Sequence, residues 1–381
     1  MVVVMVICIF ILTMVNNRTY QFIPKTNLHR SDVNHLECTR EKYQIVIYKP
    51  VQWHMQGQVQ NLNMTSCTWN NCDVFVMTYR TDGPIEADAV IFQGNKMIET
   101  RPRRLHSDQV FVFFNNEPPF YVHDKSSVKI MDENDNYFNW TITYKRESDI
   151  WAPYGVILPK SLDKDVYFKQ TQLGARFKVK NIPTFNTEGI ERKNYSQIYQ
   201  YKTRNVLWFV SHCFTSSRRE KYVERMKNVT SIKVFGKCGV SRLNGNISFE
   251  QKYKFYLAFE NCLCDDYITE KVYHWYSKDI ILVVRGGANY SEHLPEGTYV
   301  NAADFRTPED LADFLNKLGS DEARYIAYLK RKDNYVVFTE QENVQTTFCE
   351  LCWRLNNKER FRKSHVNISS WWFGSCRSGN V

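Results

Sequence analysis

The stretch from Tyr253 to Lys271, YKFYLAFENCLCDDYITEK, constrains this chain more than any other, together with IILVVRGGANY from Ile280 to Tyr290. The pattern predicts strand, loop, helix, strand. Tyr253 to Phe259 is aromatic and apolar, as a buried strand would be. The loop carries Glu260, Asn261, Asp265, Asp266 and Glu270. Thr269 stands where it can cap a helix that starts near Glu270. Lys271 then falls in the first helical turn, where a cation is unfavourable beside the helix dipole unless an anion is also present. Ile280 to Val284 fits a strand buried on both faces, as a parallel sheet requires. Gly286 and Gly287 follow, where a backbone must turn or approach a ligand. Helix N-termini receive anions readily, so the sharp reading is a phosphate-bearing ligand. The bland reading is an ordinary βαβ unit with a surface lysine.

The same residues resemble the donor-binding signature of the α1,3-fucosyltransferases, close to FYLxFENSxxxDYITEKxxxNAL followed by VPVVxGxxNY. The departures are Cys262 where Ser is usual, Leu282 where Pro often stands, and His274 to Tyr276 in place of small NAL-like residues. They change packing more than charge.

A chain of 381 residues suits two domains. A net charge of +9 favours acidic partners. No dense Lys/Arg block marks a nucleic-acid tail, so no nucleic acid partner is expected; diphosphate ligands or a membrane surface suit the charge as well. Of eleven cysteines, Cys8 lies in the apolar N-terminus and ten remain. An even number suggests disulfides if the chain is secretory. Cys349 and Cys352 form a CxxC, but no second pair has zinc spacing, so zinc is the lesser reading. Eight N-x-S/T sites, at Asn17, Asn63, Asn139, Asn194, Asn228, Asn246, Asn289 and Asn367, argue with the cysteines for a luminal or extracellular chain.

Residues 1–15 are apolar apart from Thr13, short of the ~20 needed to cross a bilayer. No basic region precedes them and no A-x-A-like cleavage site follows, so a signal-anchor is favoured over a cleaved signal peptide. That predicts a single-pass type II protein of the Golgi membrane with a luminal body. Residues 16–42 read as a stem. Short apolar runs at Ile45–Tyr48, Asp73–Met77, Ala89–Phe92 and Val110–Phe114 predict strands of a first domain, residues 43–165. Arg101, Arg103 and Arg104 between them read as a solvated loop before a phosphate patch.

Then comes FFNNEPPFYV. Glu117 stands just past a strand, with Pro118 and Pro119 fixing the loop. Open α/β sheets place ligands outside the carboxyl ends of parallel strands. The alternative is an exposed loop glutamate. Members of the resembled family carry Glu-Ser-Pro here, with the Glu as catalytic base. A second match, YFNWTITYKRESDIWAPYG from Tyr137 to Gly155, is similar to the family's FNWTxxYRxDSDIxxPYG. Trp140, Tyr144, Asp149 and Tyr154 are candidates for an acceptor cleft or for core and turn positions.

Residues 166–201 read as a linker and 202–345 as a second domain. KTRNVLWFVSHC, a loop with Arg218 and Arg219, a helix through Tyr222 and Met226, and SIKVFG make a Rossmann-type half. Cys213 and Cys238 are candidates to pair with each other. Thr307, Pro308, Glu309 and Asp310 begin a helix whose Leu311, Phe314, Leu315 and Leu318 share one face. Residues 346–381 form a tail whose CxxC resembles a family cysteine pair tied back by disulfides. Trp371 and Trp372 lie beyond the resemblance.

The resemblance implies an α/β, GT-B type fold of two Rossmann-like domains facing each other across a cleft. It implies an inverting transferase moving fucose from GDP-L-fucose to O3 of GlcNAc on a glycan. Glu117 would be the base. Arg219 and Lys271 would hold the diphosphate, Asn261 would bond phosphate, Tyr267 would lie by the guanine and Glu270 would hold the ribose. Cations then replace an essential metal, and manganese would at most stimulate. The alternatives are an inactive glycan-binding homologue and a transferase of other linkage, such as α1,4. The acceptor stays open between core GlcNAc, N-acetyllactosamine and LacdiNAc.

Overall fold

A computed structural model describes residues 42–48, 59, 61–78, 83–94, 102–119, 136–161, 193–240, 248–364 and 367–379. The expected anchor, almost all of the stem and residues 166–192 of the expected linker lie outside the described residues, as do residues 162–165 before it. Among the described residues no helix is long and apolar enough to cross a membrane.

Two parallel sheets organise the protein. The first holds β1 (Tyr43–Tyr48), β2 (Cys72–Met77), β3 (Ala89–Gln93), β4 (Val110–Asn115), β5 (Trp140–Thr143) and β6 (Ile150–Trp151), in the order β2-β1-β3-β4-β5-β6. A short β7 (Gly155–Pro159) leaves it. The second sheet contains β8 (Arg204–Phe209), β9 (Ile232–Phe235), β10 (Tyr253–Phe259), β12 (Ile281–Arg285) and β13 (Tyr299–Asn301), in the order β13-β12-β10-β8-β9. Between β10 and β12 lies the two-residue β11 (Leu263–Cys264). Every residue of β12 is buried, as its unbroken apolar run predicts for a strand covered on both faces. In the second sheet the chain goes from β8 to β9 on one side, then returns to place β10 on the other. That reversal opens a crevice above the carboxyl ends of β8 and β10.

The helices cover these sheets. Tyr195–Tyr201, inside the segment read as a linker, forms α1; its Tyr195, Ile198 and Tyr199 pack on the second sheet's core. Next come α2 (Arg219–Met226), α3 (Glu270–Tyr276), α4 (Pro308–Ser320), α5 (Glu322–Lys332), α6 (Glu340–Asn356) and α7 (Ile368–Phe373). Thr307 and Asp310 close a capping box on α4, and Leu311, Leu315 and Leu318 are fully buried. Preceding α6, β14 (Tyr335–Thr339) pairs antiparallel with β7, joining the two halves of the chain.

The residues read as a tail are structural. On α6, Phe348, Leu351, Cys352 and Leu355 join Ile45, Ile91, Val112 and Ile142 in the first sheet's core. The i, i+3 spacing of Cys349 and Cys352 puts both sulfurs on one helix face, where they bond Cys67 and Cys72. The expected Cys213–Cys238 disulfide forms, and Cys264 pairs with Cys376. That last bond fixes β15 (Cys376–Arg377) antiparallel to β11. Trp372 is fully buried, edge-on to Phe113 at 5.6 Å and 5.4 Å from Tyr144. Beside it Lys145 lies over the Trp371 ring at 4.3 Å.

Arg104 departs from the solvated-loop reading. Its guanidinium donates to the carbonyls of Gln109 and Tyr137 and covers Phe111, because a buried carbonyl must be satisfied. Arg103 is exposed, and Arg101 lies outside the described residues.

Candidate active site

A cavity of about 410 Å³ opens at the carboxyl ends of both sheets. Glu117 and Tyr154 reach it from the first half of the chain; Arg219, Asn261, Tyr267, Glu270 and Lys271 reach it from the second. All six candidate site residues therefore line one space.

Glu117 is placed by the end of β4. Asn115 Oδ1 accepts from the Glu117 backbone N–H at 3.1 Å, a side-chain turn that bends the chain out of the sheet. Pro118 supplies no donor to continue the ladder. Tyr154 Oη donates to the Asn116 carbonyl at 2.6 Å and holds the next residue down. Burial pushes the Glu117 carboxyl up, and the like charge of Glu270 adds to it, partly offset by Lys271.

Lys271 is organised by a residue that the sequence reading gave no role. Glu260, directly after β10, is 0% exposed. Its carboxylate accepts from Thr269 N at 2.9 Å, from Thr269 Oγ1 at 3.0 Å and from Lys271 Nζ at 3.1 Å. Thr269 is the cap of α3 by position, but its hydroxyl makes no capping bond. It donates to Glu260 and accepts from Lys271 at 2.7 Å instead, the ammonium taking the place of the backbone N–H that a cap would accept from. Burial alone would lower the Lys271 pKa; Glu260 and Glu270 outweigh it and raise it, so the ammonium is held charged. A fixed cation thus faces the cavity at the start of α3. Glu260 was legible only as one of several acids in the loop; its place directly after a fully apolar strand was the available signal.

Arg219, 3% exposed, opens α2 and donates to the carbonyls of Phe259 at 2.6 Å and His212 at 3.3 Å. These bonds span the carboxyl ends of β8 and β10. Asn261 is 7% exposed; its backbone carbonyl accepts from Ser217 N at 3.1 Å, while its Oδ1 is buried without a hydrogen-bond partner. Such an orphan acceptor calls for a donor from solvent or from a ligand. Tyr267, 2% exposed, packs 4.9 Å from Tyr144 and edge-on to Tyr154. Glu270 is exposed, 3.3 Å from Lys271 Nζ.

Other candidates lie elsewhere. Trp140 is core, its Nε1 donating to the Phe361 carbonyl. Asp149 accepts from Thr141 N and pairs with Lys363. Tyr144 is buried behind Tyr267, and of these four Tyr154 lines the cavity. Asp266 faces away to join the halves: it accepts from Arg146 N at 2.8 Å and meets His293 at 3.3 Å. Gly287 approaches backbone rather than ligand: a Cβ there would lie 2.4 Å from Cys264 N. Among the described residues no cluster of three or more His, Cys, Asp or Glu could hold a metal ion.

Known proteins are similar to this chain in sequence and in fold. Residues 199–371 match Glycosyltransferase family 10 (fucosyltransferase) C-term, and residues 40–155 match Fucosyltransferase, N-terminal. The chain is 30% identical over 337 residues to an alpha-(1,3)-fucosyltransferase C of Drosophila melanogaster, covering 86% of this chain and 75% of that one. It is 29% identical over 299 residues to a 3-galactosyl-N-acetylglucosaminide 4-alpha-L-fucosyltransferase of Pan troglodytes, covering 75% and 69%. A crystal structure of an alpha1,3-fucosyltransferase with GDP superposes with a TM-score of 0.50 at 14% identity, over 88% of this chain and 94% of that one. The fold is thus α/β of GT-B type, two Rossmann-like domains about a cleft. By sequence and by architecture, this chain belongs to glycosyltransferase family 10, the fucosyltransferases.

Proposed function

We propose that the enzyme moves L-fucose from GDP-β-L-fucose to O3 of a GlcNAc residue on a glycoprotein or glycolipid glycan, with inversion. The observation that carries this reading is the meeting of Glu117 with Arg219, Asn261, Tyr267, Glu270 and Lys271 in one cavity. A single displacement needs a base on the acceptor side and positive charge on the leaving side. Glu117 takes the acceptor hydroxyl proton as that oxygen bonds the fucose anomeric carbon. The bond from that carbon to the β-phosphate oxygen breaks, and its electron pair leaves with GDP. Arg219 and Lys271 stabilise the departing diphosphate, and Asn261 bonds a phosphate oxygen. Glu270, exposed at the rim, holds the ribose hydroxyls, and Tyr267 lies by the guanine. Eight N-x-S/T sites in the sequence, and four disulfides among the described residues, suit an oxidising lumen, with residues 1–15 as the Golgi membrane anchor.

Relatives named for both α1,3 and α1,4 transfer resemble the chain, so the acceptor hydroxyl is a matter for assay. The luminal body is incubated with GDP-fucose and a panel of core GlcNAc, N-acetyllactosamine and LacdiNAc glycans, and products are read by mass and linkage analysis. A deoxyhexose added at O3 of GlcNAc is expected. No addition to any glycan, or addition elsewhere, overturns the reading.

Lys271→Ala should weaken GDP binding about ten- to a hundred-fold, the worth of a charge-assisted hydrogen bond. Lys271→Arg should restore part of it, since it returns the cation to Glu260. An unchanged donor KM and kcat in the alanine variant would remove the phosphate role.

The pH profile has a definite sign. Glu117 acts as base only when ionised, and its pKa is raised in the folded protein. Activity should be full above that raised value and fall as pH drops through it. The acidic limb of kcat/KM should therefore lie above the ~4.3 of an unperturbed glutamate. A limb at or below that value would mean that another group is titrating.

A further inference from the structure

One wall of the cavity is aromatic, and the proposed chemistry leaves it unused. Trp275 lies nearly parallel to Tyr256, 4.3 Å between centroids with 17° between planes, and to Phe209 at 5.7 Å and 24°. Phe209 in turn stacks on Phe235 at 5.4 Å and 29°. Tyr256 is buried in β10, whereas Trp275 is half-buried and lines the cavity with Phe209 and Tyr256. The indole is thus covered on one side by its neighbours and bounds the cavity with the remainder.

Its position follows from the helix. Lys271 and Trp275 are four residues apart on α3, so they share a face, their backbone positions about 6 Å apart along the axis. Tyr267 offers a poorer surface, being packed between Tyr144 and Tyr154. The resembled pattern carries a small residue rather than an aromatic ring at position 275, so this wall belongs to the present chain.

We infer that Trp275, backed by Tyr256 and Phe209, is the stacking platform for the nucleobase of the bound nucleoside diphosphate, and so sets donor affinity in this enzyme. The inference rests on the reading of Arg219 and Lys271 as diphosphate ligands. A base is planar and aromatic and gains by stacking on an indole, whereas a diphosphate does not. The two parts of the ligand then separate cleanly in binding measurements.

The test is calorimetric titration of the folded luminal body with GDP and, separately, with inorganic pyrophosphate. Trp275→Ala should weaken GDP about ten-fold or more, within the range found for alanine substitution at base-stacking positions. Pyrophosphate affinity should stay within about two-fold, because that ligand does not stack. Trp275→Phe should recover most of the GDP affinity, since it keeps a ring on Tyr256. GDP affinity unchanged in Trp275→Ala overturns the inference, and so does an equal loss for both ligands, which would mark a collapsed cavity. Failure of the wild-type protein to bind GDP would overturn the nucleotide reading itself.

Discussion

Glu117→Gln is expected to lower kcat for fucosyl transfer by about a hundred- to ten-thousand-fold, the usual worth of a positioned general base. The substitution keeps size and removes the basic oxygen. Nothing else need move: the backbone there is fixed by the Asn115 side chain and by Tyr154 on the Asn116 carbonyl. GDP affinity should be kept or slightly improved, because Glu117 is a negative charge facing Glu270 and a bound diphosphate. The measurement pairs steady-state transfer with GDP titration on the same preparation. Full transfer in the Gln variant would dismiss Glu117 as base. Loss of GDP binding in step with loss of rate would mean that the variant had damaged the cavity instead.

Trp372→Ala should cost about 3–5 kcal/mol of stability, as removal of a buried tryptophan does. The ring is 0% exposed and sits between Phe113 of the first sheet and Tyr144, which itself supports Tyr267 at 4.9 Å. A void there withdraws packing from the back wall of the cavity as well as from the core. Trp372→Phe should cost much less, for two reasons. It keeps an aromatic ring, and it deletes an indole N–H that is buried without an acceptor. Denaturant unfolding followed by circular dichroism decides the matter. Equal costs for the two variants would show that the ring does not carry the stability.

Local pattern exposed a good deal of this molecule. Strands of both sheets were visible as apolar runs, α4 by its Thr307 cap, Pro308 and leucine face, and Glu117 by its place after a strand. Long-range partnership was not visible. The role of Glu260 depends on the chain folding back so that Thr269 and Lys271 close over it. That Asp266 meets Arg146, 120 residues away, depends on how the two halves pack. Trp371 and Trp372 had no periodicity to interpret, since a helix as short as α7 has too few turns to display a face. The roles of both sheets' sequence neighbours were a matter of periodicity; those of the joining residues were a matter of topology.

The pairing of β15 with β11 makes one wall of the cavity depend on a distant part of the chain. The loop that carries Asn261 and Tyr267 is braced by Cys376, by the Ser375 carbonyl accepting from Asp265 N, and by Gly379 N donating to the Ser216 carbonyl. Cys376 stands 112 residues along the chain from Cys264, so the brace forms only by long-range closure. The order of the cavity wall is thereby coupled to the redox state of a single thiol pair, Cys264 and Cys376.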